Sequence, residues 1–338
     1  MLKFRQWLQR TWWDDGSGGL VLVPLSLLFI IASAGRRLAY RCGLLRRSHP
    51  GIPVIVVGNI TVGGTGKTPL VMWLANTLVQ SGIRVGIVSR GYGARRAGKA
   101  PMLVSKDADA DLVGDEPLLM ALRTGLPVAI SADRAAAAAL MREQGVQVIL
   151  SDDGLQHYAL ARDVEIAVVD GRRRFGNGRL LPAGPLREPT SRLDVVDAVV
   201  INGGEARGSA EIRMDLVGDT MVNILSGETR ILAECRGQLW HSVAGIGHPE
   251  QFFNAAEAAG LKLMRHPFPD HAGFQPEDFD FGDELPILMT EKDAVKCRSF
   301  ADKRLWYLPV EPEIAAADAE RLLAPIMACC RTDDVKTG

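Results

Sequence analysis

Lys67 and Thr68 close the run Gly63-Gly64-Thr65-Gly66-Lys67-Thr68, and these residue types at this spacing suit the phosphates of a nucleotide. Glycines at 63, 64 and 66 let consecutive backbone N–H groups point into one concavity. The Lys67 ammonium reaches the β- and γ-phosphates, and the Thr68 hydroxyl ligates Mg²⁺. The binding segment runs from Thr61 and Val62 to Thr68, with Thr61 where the G-x-x-x-x-G-K-[ST] pattern has its first glycine. A second candidate is the apolar stretch 146–151 that ends in Asp152 and Asp153, the Walker-B arrangement for the metal of a bound nucleotide.

Further chemistry-bearing residues follow other apolar runs. Ser89-Arg90-Gly91-Tyr92-Gly93 sets an aromatic between glycines, which suits either a ligand contact or a plain turn. Gly114-Asp115-Glu116-Pro117 reads equally as a helix start, with an acidic first turn and an early proline, or as a pair of working carboxylates. Arg172, Arg173, Arg174, Arg179 and Arg187 crowd residues 170–189, either as a solvated basic loop or as forks for an acceptor phosphate. His266 and His271 flank Asp270 in a proline-rich loop, a setting for proton transfer. In Thr290-Glu291-Lys292-Asp293 the lysine and aspartate are adjacent, unlike a guanine-reading [NT]-K-x-D, so ATP is expected rather than GTP.

The elements that position these residues alternate in type. Short apolar strands are expected at 53–57, 85–89, 128–130, 146–151, 164–170 and 198–201, with helices at 69–80, 116–123 and 133–144. Such β–α alternation predicts a doubly wound, mostly parallel α/β sheet with ligands at the carboxyl ends of its strands. A smaller α/β lobe is expected beyond, with strands at 242–246 and 287–290 and helices at 249–259 and 314–324. The expected division is an N-terminal segment 1–45, a P-loop core 46–205, a β-hairpin linker 206–230 and a C-terminal lobe 231–338. Asp115 and His271 fall in different lobes of that scheme.

With 338 residues the chain exceeds the ~250–300 at which a single core stops growing. Net charge is −1, yet Lys3, Arg5, Arg10, Arg36, Arg37, Arg41, Arg46 and Arg47 make the first 50 residues locally basic. Five cysteines without C-x-x-C spacing argue for a reducing compartment and against a disulfide frame or zinc site. Residues 20–34 (LVLVPLSLLFIIASA) are strongly apolar, preceded by Trp12 and Trp13 and followed by Arg36 and Arg37. Fifteen residues rise only ~22 Å as a helix, short of the ~30 Å hydrocarbon core, and Pro24 is expected to disturb the middle. An interfacial or half-inserted anchor is therefore expected. Ala32-Ser33-Ala34 imitates a signal-peptidase site, but Asp14, Asp15 and the tryptophans spoil the basic region that such a signal needs. A buried core helix is the remaining alternative.

Taken in order, GN-x-TVGGTGKTP, SRGYG, GDEP, DDGLQH, LPAGPLREP, FPDH and TEKDAVK closely resemble the tetraacyldisaccharide 4′-kinase family, the lipid A 4′-kinases of Gram-negative bacteria. The likeness runs from the N-terminal apolar segment to about Lys296. It implies Mg²⁺-dependent transfer of the ATP γ-phosphate to the 4′-hydroxyl of an acylated glucosamine disaccharide 1-phosphate, at the cytoplasmic face of the inner membrane, with no nucleic acid involved. It further implies an acid/base pair at Asp115 and His271, metal or phosphate contacts at Glu116, Asp152, Asp153, Gln156 and Glu188, and substrate contacts at Arg90, Tyr92 and Arg187. A nucleotide-switched binding protein, or a P-loop kinase for a soluble metabolite, is the competing expectation.

Overall fold

The computed structural model describes residues 2–13, 17–95, 98 and 100–334. The chain begins with α1 (Leu2–Trp13), α2 (Val23–Arg41), β1 (Val54–Gly58), α3 (Lys67–Gln80), β2 (Val85–Ser89) and β3 (Met102–Leu103). Next come α4 (Ala110–Val113), α5 (Asp115–Thr124), β4 (Val128–Ile130), α6 (Arg134–Glu143), β5 (Val148–Asp152), β6 (Val164–Asp170), β7 (Ala198–Asn202) and β8 (Glu211–Val217). It continues through β9 (Thr220–Asn223), β10 (Thr229–Ile231), β11 (Leu239–Ala244), α7 (Pro249–Ala258), β12 (Lys262–Pro267) and β13 (Ile287–Thr290). The last elements are α8 (Glu291–Cys297), β14 (Leu305–Leu308), β15 (Glu311–Glu313) and α9 (Ala316–Asp334).

Two compact units result, and they do not follow chain order. Residues up to 89, 134–215 and from 314 onward form the first; 90–133 and 216–313 form the second. Residues 90–133, expected inside a core spanning 46–205, thus belong to the second unit, and α9, expected in the C-terminal lobe, belongs to the first. Periodicity identifies a helix but is blind to which sheet the helix covers, because that depends on matching apolar faces far apart in sequence.

In the first unit β8, β7, β6, β1, β5 and β2 lie side by side, every neighbouring pair parallel. The five residues of β1 and the five of β5 are all buried. That is the signature of strands covered on both faces, and it explains their near-continuous Val/Ile/Leu runs. The register sets Val57 of β1 against Asp152 of β5, so both strands deliver their carboxyl ends to one place. The expected linker 206–230 is divided: β8 extends this sheet beside β7, while β9 and β10 form a hairpin in the second unit.

That unit has its own sheet in the order β10-β9-β14-β13-β11-β12, parallel from β14 to β12 and antiparallel at the β9 and β10 end. Trp240, Trp306, Leu288 and Ala256 pack one part of its core, and Phe274, Phe279, Met289 and Ala294 another. Strand β12 had no clear sequence signal. It is an edge strand whose Lys262 and Arg265 interrupt apolar alternation, as charges on an edge do to discourage further pairing.

In the N-terminal segment Pro24 sits in the first turn of α2, where its missing N–H is no loss, so the helix runs unbroken to Arg41. By length and composition Gly19–Arg41 is able to cross a membrane, and 11% of its apolar window is buried, whereas a core helix is mostly buried. Two contacts tie the N-terminal segment to the arginine-rich loop: Trp12 Nε1 of α1 donates to Pro182 O at 2.9 Å and Ser26 Oγ of α2 to Leu180 O at 2.9 Å.

Candidate functional site

The nucleotide end is built by β1, the loop after it and the N-terminus of α3. Thr61 forms an antiparallel bridge with Leu186, and Val62 N–H donates to Pro185 O at 2.9 Å, so an extended residue replaces the usual first glycine. Gly66 cannot be replaced in the same way. It has φ 88° at the helix N-cap, and a Cβ there would lie 2.4 Å from Asn202 Nδ2. Asn202, at the end of β7, donates to Thr65 O at 3.1 Å, while Arg173 reaches Gly64 O at 3.4 Å. The carbonyls of the glycine loop are therefore held by residues at the end of β7 and just after β6, and the loop leads directly into the N-terminus of α3, a position that attracts phosphate.

At the end of β5, Asp152 is buried and its carbonyl accepts from Arg134 Nη2 at 2.9 Å. The Asp153 carboxylate lies 3.6 Å from Lys67 Nζ and 3.0 Å from Arg187 Nη1. Burial would raise its pKa, but the Lys67 and Arg187 charges outweigh burial and hold it well below the usual carboxylate range. Gln156 Nε2 donates to Glu188 Oε1 at 2.9 Å and to Asn59 O at 3.0 Å; the Tyr158 hydroxyl donates to Glu188 Oε2 at 2.5 Å. Both oxygens of Glu188, 2% exposed, thus accept protein donors. Gln156 and Glu188 thus form one hydrogen-bonded group with Tyr158 and Asn59, the residue two positions before Thr61. Among the described residues no cluster of three or more His, Cys, Asp or Glu is arranged to hold a metal by itself.

In the second unit Asp115 is the first residue of α5, after Gly114 at φ 92°. Its Oδ1 accepts from the Glu116 N–H at 2.9 Å, and its Oδ2 is 3.0 Å from His271 Nδ1. An ionised carboxylate only accepts, so His271 Nδ1 carries the proton. Asp115 is 5% exposed, and although burial raises a carboxyl's pKa, the His271 hydrogen bond and the Lys292 charge bring it below the ordinary value. The hydrogen bond to Asp115 in turn raises His271, against the opposing effects of burial and Lys292. The expectation that this pair lies in two lobes is corrected: both residues belong to the second unit and are already in contact. The Tyr92 ring, expected as a substrate contact, lies 5.2 Å from the His271 ring, and with Gly93, Asp111, Gly114, Ala272 and Lys296 these side chains line one cavity. Arg90, exposed, opens the same glycine-flanked turn.

Glu116 is bonded by Lys292 Nζ at 2.8 Å, and Lys292 also lies 3.3 Å from His271 Nε2. In the sequence the TEKDAVK motif bears only on the choice of ATP over GTP and on the family likeness. In the structure Asp293 is fully buried, its Oδ2 accepting from Gly245 N–H and its Oδ1 2.8 Å from Lys296, whose Nζ donates to Ala272 O at 2.9 Å. His271 N–H donates to Gly245 O at 3.2 Å. The loop that carries His271 is thereby pinned on both sides, which keeps this residue at a left-handed φ of 60°. Asp153, φ 48°, is strained alike, and such strain costs of order 1–3 kcal/mol and persists only where the surroundings enforce it. Spacing alone hinted at none of this, since the partners are brought together by the second sheet.

Of the arginine run, Arg173 pairs with Asp170, Arg174 with Glu211 and Arg187 with Asp153. Arg187 belongs to the mouth of the P-loop, and the other two stabilise the loop itself.

Comparison with known proteins agrees with this geometry. A family model described as tetraacyldisaccharide-1-P 4'-kinase matches residues 19–328. The tetraacyldisaccharide 4'-kinase of Methylobacillus flagellatus is 49% identical over 324 residues, covering 95% of this chain and 96% of that protein. The one from Nitrosococcus oceani is 49% identical over 325 residues, covering 96% and 95%. Among solved structures, the "apo" form of LpxK from Aquifex aeolicus in complex with ATP superposes with a TM-score of 0.76 at 30% identity, covering 92% of this chain and 99% of that one.

Proposed function

Because this chain belongs to the tetraacyldisaccharide-1-P 4'-kinase family, we propose that it transfers the γ-phosphate of ATP to an acceptor hydroxyl, with the P-loop residues holding ATP and Mg²⁺ and with Asp115 and His271 taking the proton of the acceptor. It is a lipid A 4'-kinase, and the acceptor is the 4′-hydroxyl of tetraacyldisaccharide 1-phosphate. The observation that carries the nucleotide assignment is the β1–β5 register, which sets the acidic pair at 152 and 153 beside a P-loop that ends in Lys67 and Thr68.

The donor set fits Mg²⁺: an ionised Asp153, the adjacent Asp152 and the Thr68 hydroxyl are hard oxygens. The absence of a three-carboxylate cage among the described residues suits a cation that keeps several waters and phosphate oxygens. When bound, Mg²⁺ neutralises charge on the β- and γ-phosphate oxygens. Lys67 does the same from the protein side, and before nucleotide arrives it rests near Asp153. Arg187 steadies Asp153 from the other side, an arrangement that keeps the carboxylate ionised in a partly buried mouth. The Asp115–His271 pair accepts the hydroxyl proton. Asp115 holds Nδ1–H and fixes the tautomer, so the lone pair of Nε2 is the acceptor. Tyr92, which lines that cavity, and Arg90, two residues before it, bind the sugar. Residues 19–41 seat the enzyme half-inserted in an anionic inner-membrane surface from the cytoplasmic side, where an amphiphilic acceptor resides.

Transfer of labelled γ-phosphate from ATP to tetraacyldisaccharide 1-phosphate tests the whole reading. Lys67→Ala is expected to reduce kcat by more than a hundredfold, since several kcal/mol of charge stabilisation are lost and each ~1.4 kcal/mol is tenfold. Activity within tenfold of the unaltered enzyme would remove the P-loop lysine from the mechanism.

A further inference from the structure

Lys292 touches every acidic partner of the proton-accepting pair, yet no step above uses it. Its Nζ lies 2.8 Å from Glu116 Oε1, 3.3 Å from His271 Nε2, 3.9 Å from Asp115 Oδ2 and 3.8 Å from Asp270 Oδ1. We infer that Lys292 is the positioning residue that keeps His271 competent as a proton acceptor, its ammonium offering a hydrogen to Nε2 so that this nitrogen retains its lone pair. This inference rests on the reading of Asp115 and His271 as the accepting pair.

The charges decide the point. Asp115 from α5, Asp270 from the loop after β12 and Lys292 from α8 lie against His271, with Glu116 paired to Lys292 and Lys296 lining the same cavity. Two carboxylates against one imidazole favour imidazolium, whose two nitrogens both donate and neither accepts. A cation placed against Nε2 opposes that drift and also needs an acceptor there, which only the neutral ring provides. The location of Lys292 serves this purpose: Glu116 anchors it at the short distance, and its own pKa is raised, the acidic partners outweighing burial, so it stays charged. In the reaction the Lys292 ammonium releases Nε2 and stays with Glu116 and Asp270, the hydroxyl O–H bond breaks and its proton moves to the freed Nε2 lone pair, while the oxygen bonds to the γ-phosphorus. The bond from γ-phosphorus to the β–γ bridging oxygen breaks and ADP leaves with that electron pair. The resulting imidazolium is stabilised by Asp115, and Lys292 retains Glu116 and Asp270 as partners.

The inference is tested by titrating isotope-labelled His271 by NMR in the full-length protein, alongside pH profiles of kcat/KM. In Lys292→Met, His271 is expected to titrate at higher pH than in the unaltered enzyme, and the acid limb of kcat/KM should move by the same amount. Activity at neutral pH then falls roughly tenfold per pH unit of displacement and recovers at alkaline pH. Lys292→Arg, which keeps the charge, should titrate near the original position. Lys292→Gln, whose amide still reaches Glu116, provides the same neutral test should the methionine variant fold poorly. An unchanged His271 titration in the neutral variants, or a loss of activity equal at every pH, would overturn the role of Lys292. Persistence of the acid limb in His271→Ala would instead sink the accepting pair itself, so the two failures are distinguishable.

Discussion

Asp115 begins a helix and also holds His271, and one substitution separates these tasks. Asn caps or starts a helix about as well as Asp, so a purely structural Asp115 would make Asp115→Asn nearly silent. As part of the accepting pair it should instead lower kcat by about 10²–10⁴ with ATP binding unchanged. Paired action further requires that Asp115→Asn combined with His271→Ala be barely worse than the poorer single variant; multiplicative losses would show two independent residues. The pair also contributes to stability in a defined pH window. His271 is raised above its ordinary 6.5, so its contribution is complete below about that pH and is lost as pH climbs through the raised value. Asp115 is lowered from 3.8, so its contribution is present above that pH and vanishes as pH falls through the lowered value. The melting-temperature difference between the unaltered enzyme and His271→Ala should therefore be greatest near pH 4–6.5 and shrink above it. A difference that grows with alkalinity would contradict this assignment.

The short helix α8 matters beyond its seven residues. Thr290 caps it by accepting from Asp293 N–H at 3.2 Å, and its hydroxyl donates to the Asp293 carboxylate at 2.7 Å. Asp293 then binds Gly245 and Lys296, so removing it strands a nearly buried ammonium and frees the loop that carries His271. Asp293→Ala is expected to destabilise by roughly 3–5 kcal/mol, the range for breaking a buried ion pair from one side. Thr290→Ala, the loss of a cap, should cost only about 0.5–2 kcal/mol. Urea midpoints at constant slope would measure both; similar small values for the two would mean that the buried pair does not hold the loop.

For the whole molecule, the membrane assignment rests on the outward face of α2. Leu25, Leu28 and Ile31 are 54, 64 and 69% exposed, and each would gain about 1.5–3 kcal/mol by full burial in an apolar phase. Deleting the segment would also remove Trp12 and Ser26 from the arginine-rich loop, confusing anchoring with folding. Combined Leu25→Glu, Leu28→Glu and Ile31→Glu leaves those contacts in place. It should release the protein from anionic vesicles and raise the KM for lipid while leaving the KM for ATP within about twofold. Undiminished sedimentation with vesicles would mean that another surface holds the membrane.

Elements with local causes were legible in the sequence. The buried runs of β1, β5 and β6 announced themselves because strands covered on both faces must be apolar throughout, and Gly63, Gly64 and Gly66 because a phosphate cradle needs backbone freedom. The order of motifs likewise carried the family and its reaction, since each block is a contiguous stretch of residues. What the tertiary structure decided concerns groups whose partners are remote. That residues 90–133 fold with 216–313 puts Asp115 against His271 with no lobe closure, a result of apolar faces meeting across more than 150 positions of sequence. The burial of Asp293 and the four-way contact of Lys292 depend on the same packing, because a charge acquires a role only from what surrounds it in space, and TEKDAVK as a string contains no record of those surroundings.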